Sequence, residues 1–395
     1  MKTGLLWASA IIAGVVCHQP ASAQTIKIGA PLPLTGALAP EGVKQKEGYD
    51  LWADEVNKAG GIKVGDKKMK VEFVYYDYQS GTPRAVQLTE KLITEDKVNF
   101  IFAPFGSGAT KATSNVTEKY KVINMSPTGS SEQVYDQGFK YLFGILNSNA
   151  IVSTSLTSYF QAEAPNAKKV AIYSRNDLFP LALANSLQDA AKAKGYTISF
   201  FEKYPLNSTD HSAALSDLRS RGVDWIYATG YTDDLIRIRK QMVELKVHAP
   251  IVTMLAGPAY PDFVKGLGDL ANGVTSVTWW HPELRFKTTD VFGSTENYVK
   301  LFTERFKKEP DYTGAASSAC GVVLQMAIEK AGTLDSEKLQ PILAGTTFDT
   351  FYGPIKFGPN GQNASADNPI FQIQNQKIVI TAPDNVKQGK LQLMK

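Results

Sequence analysis

Cysteine and histidine are scarce in this sequence: its 395 residues hold 2 cysteines and 4 histidines. Cys17 lies in an apolar N-terminal leader, so the remaining thiol, Cys320, has no partner for an intramolecular disulfide, and apolar cores must hold the chain. Within Ala319-Cys320-Gly321-Val322-Val323 that thiol reads as a small buried hydrophobe. His211, His248 and His281 are scattered without ligand spacing, so neither a metal site nor a cofactor is expected. Charge is also sparse, at 20% Asp, Glu, Lys and Arg, and the net value of +4 is too small and too evenly spread to mark a nucleic-acid binder. After the leader no apolar run is long enough to span a bilayer. What is present is ordinary for a globular protein, with 43% hydrophobic residues, 31 Gly and 20 Pro. The length suits two domains of useful core size.

The first residues read as a secretory signal. Lys2 supplies the charged start, Leu5 to Val16 the apolar run, and Ala21-Ser22-Ala23 the small-residue cleavage site, with the mature chain starting near Gln24. Lipid attachment at Cys17 is the weaker alternative, because Val15 and Val16 stand where such sites want small residues. An exported protein is expected.

Beyond the leader, short β-branched runs alternate with helical ones. Strand patterns at 26–30, 69–76, 100–102 and 122–125 are separated by helical patterns at 41–59, 83–93 and 109–120. A second series runs from helix 151–162 to strand 251–253. Repeated βα units predict parallel sheets with helices on both faces. Two helical runs, 295–307 and 314–331, follow Trp279-Trp280 and are expected to return to the first unit. The chain would then cross between the two units near 143–147, 277–282 and 346–354. The predicted division is a signal peptide at 1–23, an N-terminal lobe of 24–145 plus 281–350, and a C-terminal lobe of 146–280 plus 351–395.

In open α/β sheets a ligand sits at the carboxyl ends of strands, against helix starts. Two stretches answer that description. Strand 100–102 runs into Ala103-Pro104-Phe105-Gly106-Ser107-Gly108, and strand 122–125 into Ser126-Pro127-Thr128-Gly129-Ser130-Ser131. Hydroxyls and free N–H groups at a helix start suit a carboxylate; the plainer alternative makes Ser107 and Ser130 only helix caps. A phosphate loop at Gly106-Ser107-Gly108 lacks the required lysine.

With these motifs the chain resembles the periplasmic solute-binding proteins of ABC importers, of the leucine/isoleucine/valine type. The resemblance rests on Ile26-Lys27-Ile28-Gly29 with Pro33-Leu34-Thr35-Gly36, on Asn57-x-x-Gly60-Gly61-Ile62, on the Ser107 and Ser126-Pro127 turns, and on Gly230-Tyr231 and Gly268-Asp269 with Gly273. It implies two Rossmann-like lobes joined by three crossovers, the type I periplasmic binding fold, closing on a ligand. It assigns Ser107 to the ligand carboxylate, Gly129 and Ser130 to the rest of that pocket, Phe179 to an aromatic position and Tyr231 to the second lobe; Thr128 and, as a further flat apolar wall, Phe105 are added as candidates from the same two turns. Two positions depart from the pattern. Ala256 stands where amino acid binders place an acid for the ammonium, and Ser318 where a tyrosine is common. Glu41, in the first loop, or Asp233 is the candidate replacement acid.

No Ser/His/Asp set, no Gly-x-Ser-x-Gly elbow and no carboxylate pair argues for catalysis. The expected function is capture of a small carboxylate-bearing solute, an amino acid or an aromatic or aliphatic acid, by a monomer that delivers it to a membrane permease. The alternative is a ligand-sensing domain feeding a signalling partner, in which Asn115, Asn207 and Asn363 would head glycan-acceptor triplets.

Overall fold

The computed structural model describes residues 25–365 and 368–394; the leader read at 1–23 lies outside them. The first βα series opens with β1 (Thr25–Leu32), α1 (Ala39–Lys58), β2 (Ile62–Val64), β3 (Lys67–Asp77) and α2 (Thr82–Thr94). It continues with β4 (Phe100–Phe102), α3 (Ser107–Lys119), β5 (Asn124–Ser126), α4 (Glu132–Tyr135) and β6 (Leu142–Gly144). Its sheet has the order β2-β3-β1-β4-β5-β6. All neighbours pair in parallel except β2 and β3, which form an antiparallel hairpin at one edge. Helices cover both faces, so every residue of the Phe100-Ile101-Phe102 run is buried, the mark of a central parallel strand.

The second series comprises α5 (Asn149–Glu163), β7 (Lys169–Arg175), α6 (Leu178–Ala193), β8 (Thr197–Tyr204) and α7 (Ser212–Ser220). β9 (Trp225–Thr229), α8 (Thr232–Glu244), β10 (Ile251–Leu255), α9 (Pro261–Leu267) and β11 (Val274–Val277) complete it. After it come α10 (Thr295–Phe306), α11 (Tyr312–Ala331), α12 (Ser336–Gly345), β12 (Thr347–Thr350), β13 (Gly353–Lys356), β14 (Ile370–Gln374) and β15 (Lys377–Ala382). The second sheet has the order β15-β14-β11-β10-β9-β7-β8, with β14 and β15 added antiparallel to a parallel core. The molecule is therefore two α/β lobes with parallel sheets flanked by helices. No helix among the described residues is long and apolar enough to cross a membrane.

Helix α11 lies against α1, and glycines permit the approach. A methyl group on Gly321 would fall 2.0 Å from the Trp52 ring, and one on Gly48 would fall 2.2 Å from the Gly314 carbonyl. Ser318 Oγ donates to the Gly48 carbonyl at 2.7 Å, so this residue staples α11 to α1.

The chain crosses after β6, after β11 and before β14. The third crossing lies further along than the 346–354 expected from sequence, and the segment 351–363, assigned there to the C-terminal lobe, packs on the first. β12 and β13 pair with each other. Gly144 N then donates to the Gly361 carbonyl and Asn363 N to the Gly144 carbonyl, which satisfies the open edge of β6. Phe357 packs on Phe143 at 5.0 Å between ring centroids. Only after Asn363 does the backbone pass to β14. β14 and β15 form a hairpin, turned by Asn375 and Gln376 at positive φ. Helix α12, absent from the sequence reading, carries Pro341 in its interior, which breaks the expected pattern.

Candidate ligand cleft

Strand β4 reaches α3 through Gly106, whose φ of +83° is a turn that glycine adopts without strain. Ser107 is the first helical residue, and the N–H groups of the first turn have no intrahelical acceptor. The neighbouring loop after β5 locks onto this turn. Gly106 N donates to Thr128 Oγ1 at 3.1 Å, and Ser107 Oγ accepts from Ser131 N at 3.2 Å and from Ser131 Oγ at 2.9 Å. Ser126 Oγ accepts from Gly129 N, while Tyr135 Oη donates to the Gly129 carbonyl at 2.6 Å. The three candidate hydroxyls thus differ. Ser130 spends its proton on Asn149 Oδ1 at 2.8 Å. Ser107 and Thr128 act here as acceptors, which leaves their own protons available to a ligand anion.

Between the lobes these loops face an inner cavity of only about 10 Å³, room for a single water. Its walls are Phe105, Gly106, Thr128 and Leu146 from one side, Phe179, Tyr231, Ala256 and Tyr260 from the other, and Tyr312 at the start of α11. Phe105 and Phe179 lie 6.1 and 6.4 Å from Tyr231 between ring centroids. Phe179 sits here because α6 begins at Leu178, capped by the Asp177 carboxylate. The lobes touch around the cavity. Tyr260 Oη donates to Tyr312 Oη at 2.7 Å and lies 2.8 Å from Thr313 Oγ1. Lys44 on α1 pairs with Asp262 on α9 at 3.1 Å. Burial pushes the Tyr231 and Tyr260 phenols well above their usual range, so both stay neutral.

Tyr231 also borders a second, outer chamber with Glu41, Lys44, Arg175, Thr232, Asp233, Asp234, Arg237 and Asp262. Arg175 Nη1 binds both oxygens of Asp234, at 3.0 and 2.8 Å. Burial raises the Glu41 carboxyl to about 7 against the pull of Lys44, and the carboxylates of Asp233 and Asp311 push it the same way. Burial works to lower the Lys44 ammonium, but Asp311, Glu41 and Asp262 outweigh it and hold it above its usual range.

Of the residues singled out in the sequence, Phe105, Thr128, Phe179, Tyr231 and Ala256 share the inner cavity, and Glu41 and Asp233 share the outer chamber. Ser107, Gly129 and Ser130 build the loops behind Thr128. Ser318 lies instead in the α1–α11 packing. Tyr260, Tyr312, Lys44, Asp262 and Arg175 were missed, since each meets its partner only across a long stretch of chain. Among the described residues no group of His, Cys, Asp and Glu is arranged to hold a metal ion.

The profile of the family described as periplasmic binding protein matches residues 25–377. The leucine-, isoleucine-, valine-, threonine- and alanine-binding protein of Pseudomonas aeruginosa is 25% identical over 372 residues, 93% of this chain and 94% of its own. Among solved structures, the leucine-binding protein LivK of Thermotoga maritima superposes with a TM-score of 0.81 at 23% identity, covering 91% of this chain and 100% of that one. The branched-chain amino acid substrate-binding protein LivJ of Streptococcus pneumoniae, in complex with isoleucine, gives 0.78 at 25% identity, covering 90% and 98%.

Proposed function

The chain belongs to the periplasmic binding protein family, of the branched-chain amino acid ABC-transporter type, and from that premise we propose that it captures a small carboxylate-bearing solute with an apolar body between its lobes and delivers it to a membrane permease. The observation that carries this reading is the lining of the inner cavity, which would take a solute only with the lobes further apart than they stand here. Aromatic walls from both lobes enclose it, and Thr128 lines one end beside Gly106 at the start of α3, with Ser107 in the layer behind. A carboxylate there gains charge-assisted hydrogen bonds worth about 1.5–3 kcal/mol each, and the rings around it take the apolar tail. Tyr260, Tyr312, Lys44 and Asp262 tie the lobes together over such a ligand, so capture is closure about the crossings rather than chemistry. The proposed role is binding without turnover.

A thermal-shift panel of leucine, isoleucine, phenylalanine and their deaminated acids tests this. A ligand at 100 times its Kd adds about 2.7 kcal/mol of stability. Shifts given only by nucleotides or metal ions would overturn the reading. Deleting the protein and measuring uptake of the stabilising ligand tests the permease step.

A further inference from the structure

Away from the cleft, the return of segment 351–363 to the first lobe leaves a hollow of about 940 Å³ between α4, β6, α12 and the turn that follows β13. Its floor is Phe143 against Phe357, and half-buried Phe139 with exposed Ala344 and Pro359 form its sides. The turn that makes one side is fixed in place. Gly358 N donates to the Gln362 carbonyl at 2.8 Å and Gly361 N to the Gly358 carbonyl at 2.9 Å. The side chains of Gln362 and Asn363 then tie the turn to the lobe, donating to the Ser130 and Ile145 carbonyls, each at 2.9 Å. Tyr135, on another side, is held by its bond to the Gly129 carbonyl. The hollow is therefore preformed, and its size is that of pockets that take small organic ligands.

Its charges are unspent. Lys140 and Lys356 line it, with Asp136 as the one carboxylate, and among the described residues none of these three side chains has an ion pair within 4 Å or a hydrogen bond. Other exposed lysines of the same lobe are paired, Lys119 with Glu90 at 3.1 Å and Lys121 with Glu337 at 2.6 Å. An apolar floor beneath unpaired ammonium groups matches a molecule with an apolar body and one anionic end. The body covers apolar surface otherwise left to water, and the anion accepts charge-assisted hydrogen bonds from the lysines. We propose that this hollow, whatever the cleft binds, is a second ligand site that takes a small amphipathic anion of the medium-chain carboxylate class. Its chain lies over Phe143 and Phe357 and its head is held by Lys140 and Lys356.

Titration calorimetry with octanoate, and with octanol as its uncharged counterpart, tests this on the parent, Lys356→Glu, Lys140→Glu and Ala344→Trp. Octanoate also offers a carboxylate to the cleft, so the variants of the hollow decide where it binds. The parent should bind octanoate at least about fivefold tighter than octanol. Each lysine reversal should weaken octanoate by about tenfold and leave octanol nearly unchanged. Ala344→Trp fills the hollow and should weaken both. All three positions are exposed, so the variants should keep the parent's Tm. No octanoate binding by the parent overturns the proposal. So does binding that all three variants leave unchanged, which would place octanoate elsewhere, and so does equal affinity for octanol and octanoate.

Discussion

Replacing Asp234 by Ala removes one half of a buried ion pair behind the cleft. Arg175 at the end of β7 holds both Asp234 oxygens, and the two side chains are only 13% and 8% exposed. The same carboxylate accepts from Tyr231 N at 3.1 Å and caps α8, while the Arg175 guanidinium lies 5.3 Å from the centre of the Tyr231 ring. After truncation the nearest remaining carboxylate is Asp177, 3.7 Å from Arg175 Nε, on a more exposed side chain. Removing one partner of a buried pair costs about 3–5 kcal/mol, because the other charge stays desolvated, and a lost helix cap costs about 1 kcal/mol. The terms overlap, so the expected total is about 3–5 kcal/mol in urea unfolding with an unchanged m-value. Ligand affinity should fall as well, since Tyr231 borders both chambers and loses its backbone tether and the carboxylate that holds Arg175 over its ring. The double replacement Arg175→Met with Asp234→Leu should recover most of the stability, because it removes both charges from the interior. A loss below about 1 kcal/mol for Asp234→Ala would place the pair among solvent-screened contacts and refute the reasoning.

Four further outcomes are expected. Ser107→Ala deletes the acceptor for two Ser131 groups and a hydroxyl proton at the start of α3, and should weaken binding of the ligand found in the thermal-shift panel by about tenfold in calorimetry; parent-like affinity would remove Ser107 from the site. Gly144→Ala puts a methyl 1.8 Å from Tyr135 Oη, whose hydrogen bond positions the Gly129 carbonyl, so denaturant titration should show a loss of about 1–3 kcal/mol, and unchanged stability would contradict that packing. Folded Glu41 keeps its proton up to about 7, whereas the unfolded group releases it near 4.3; the native state then binds more protons between these values, so the parent loses stability relative to Glu41→Gln as pH rises from about 5 to about 7, and a pH-independent difference in Tm would refute it. Burial holds the Cys320 thiol well above its usual range, so alkylation at pH 8 should be slow in the native protein and fast in denaturant; rapid native labelling would show the α11 core to be open.

The sequence by itself determined the class of fold, because that class follows from local pattern. Fully apolar runs such as Phe100-Ile101-Phe102, alternating with amphipathic helices such as α1, leave little but parallel sheets covered on both faces. The turns at Gly106-Ser107 and Ser126-Pro127 were legible for the same reason, since a strand end followed by a helix start is written in adjacent residues. Tertiary structure alone decided what those turns present. Ser130 and Thr128 are two residues apart and alike in chemistry, yet one donates its proton to Asn149 and the other accepts from Gly106. It also decided the third crossing, because pairing of 361–363 with the edge of β6 outweighs any local signal at 346–354. Contacts such as Lys44 with Asp262 join residues 218 positions apart, and no periodicity links them. The raised carboxyl of Glu41 has the same origin: its burial comes from groups that the fold gathers around it from α1, α8 and the turn before α11.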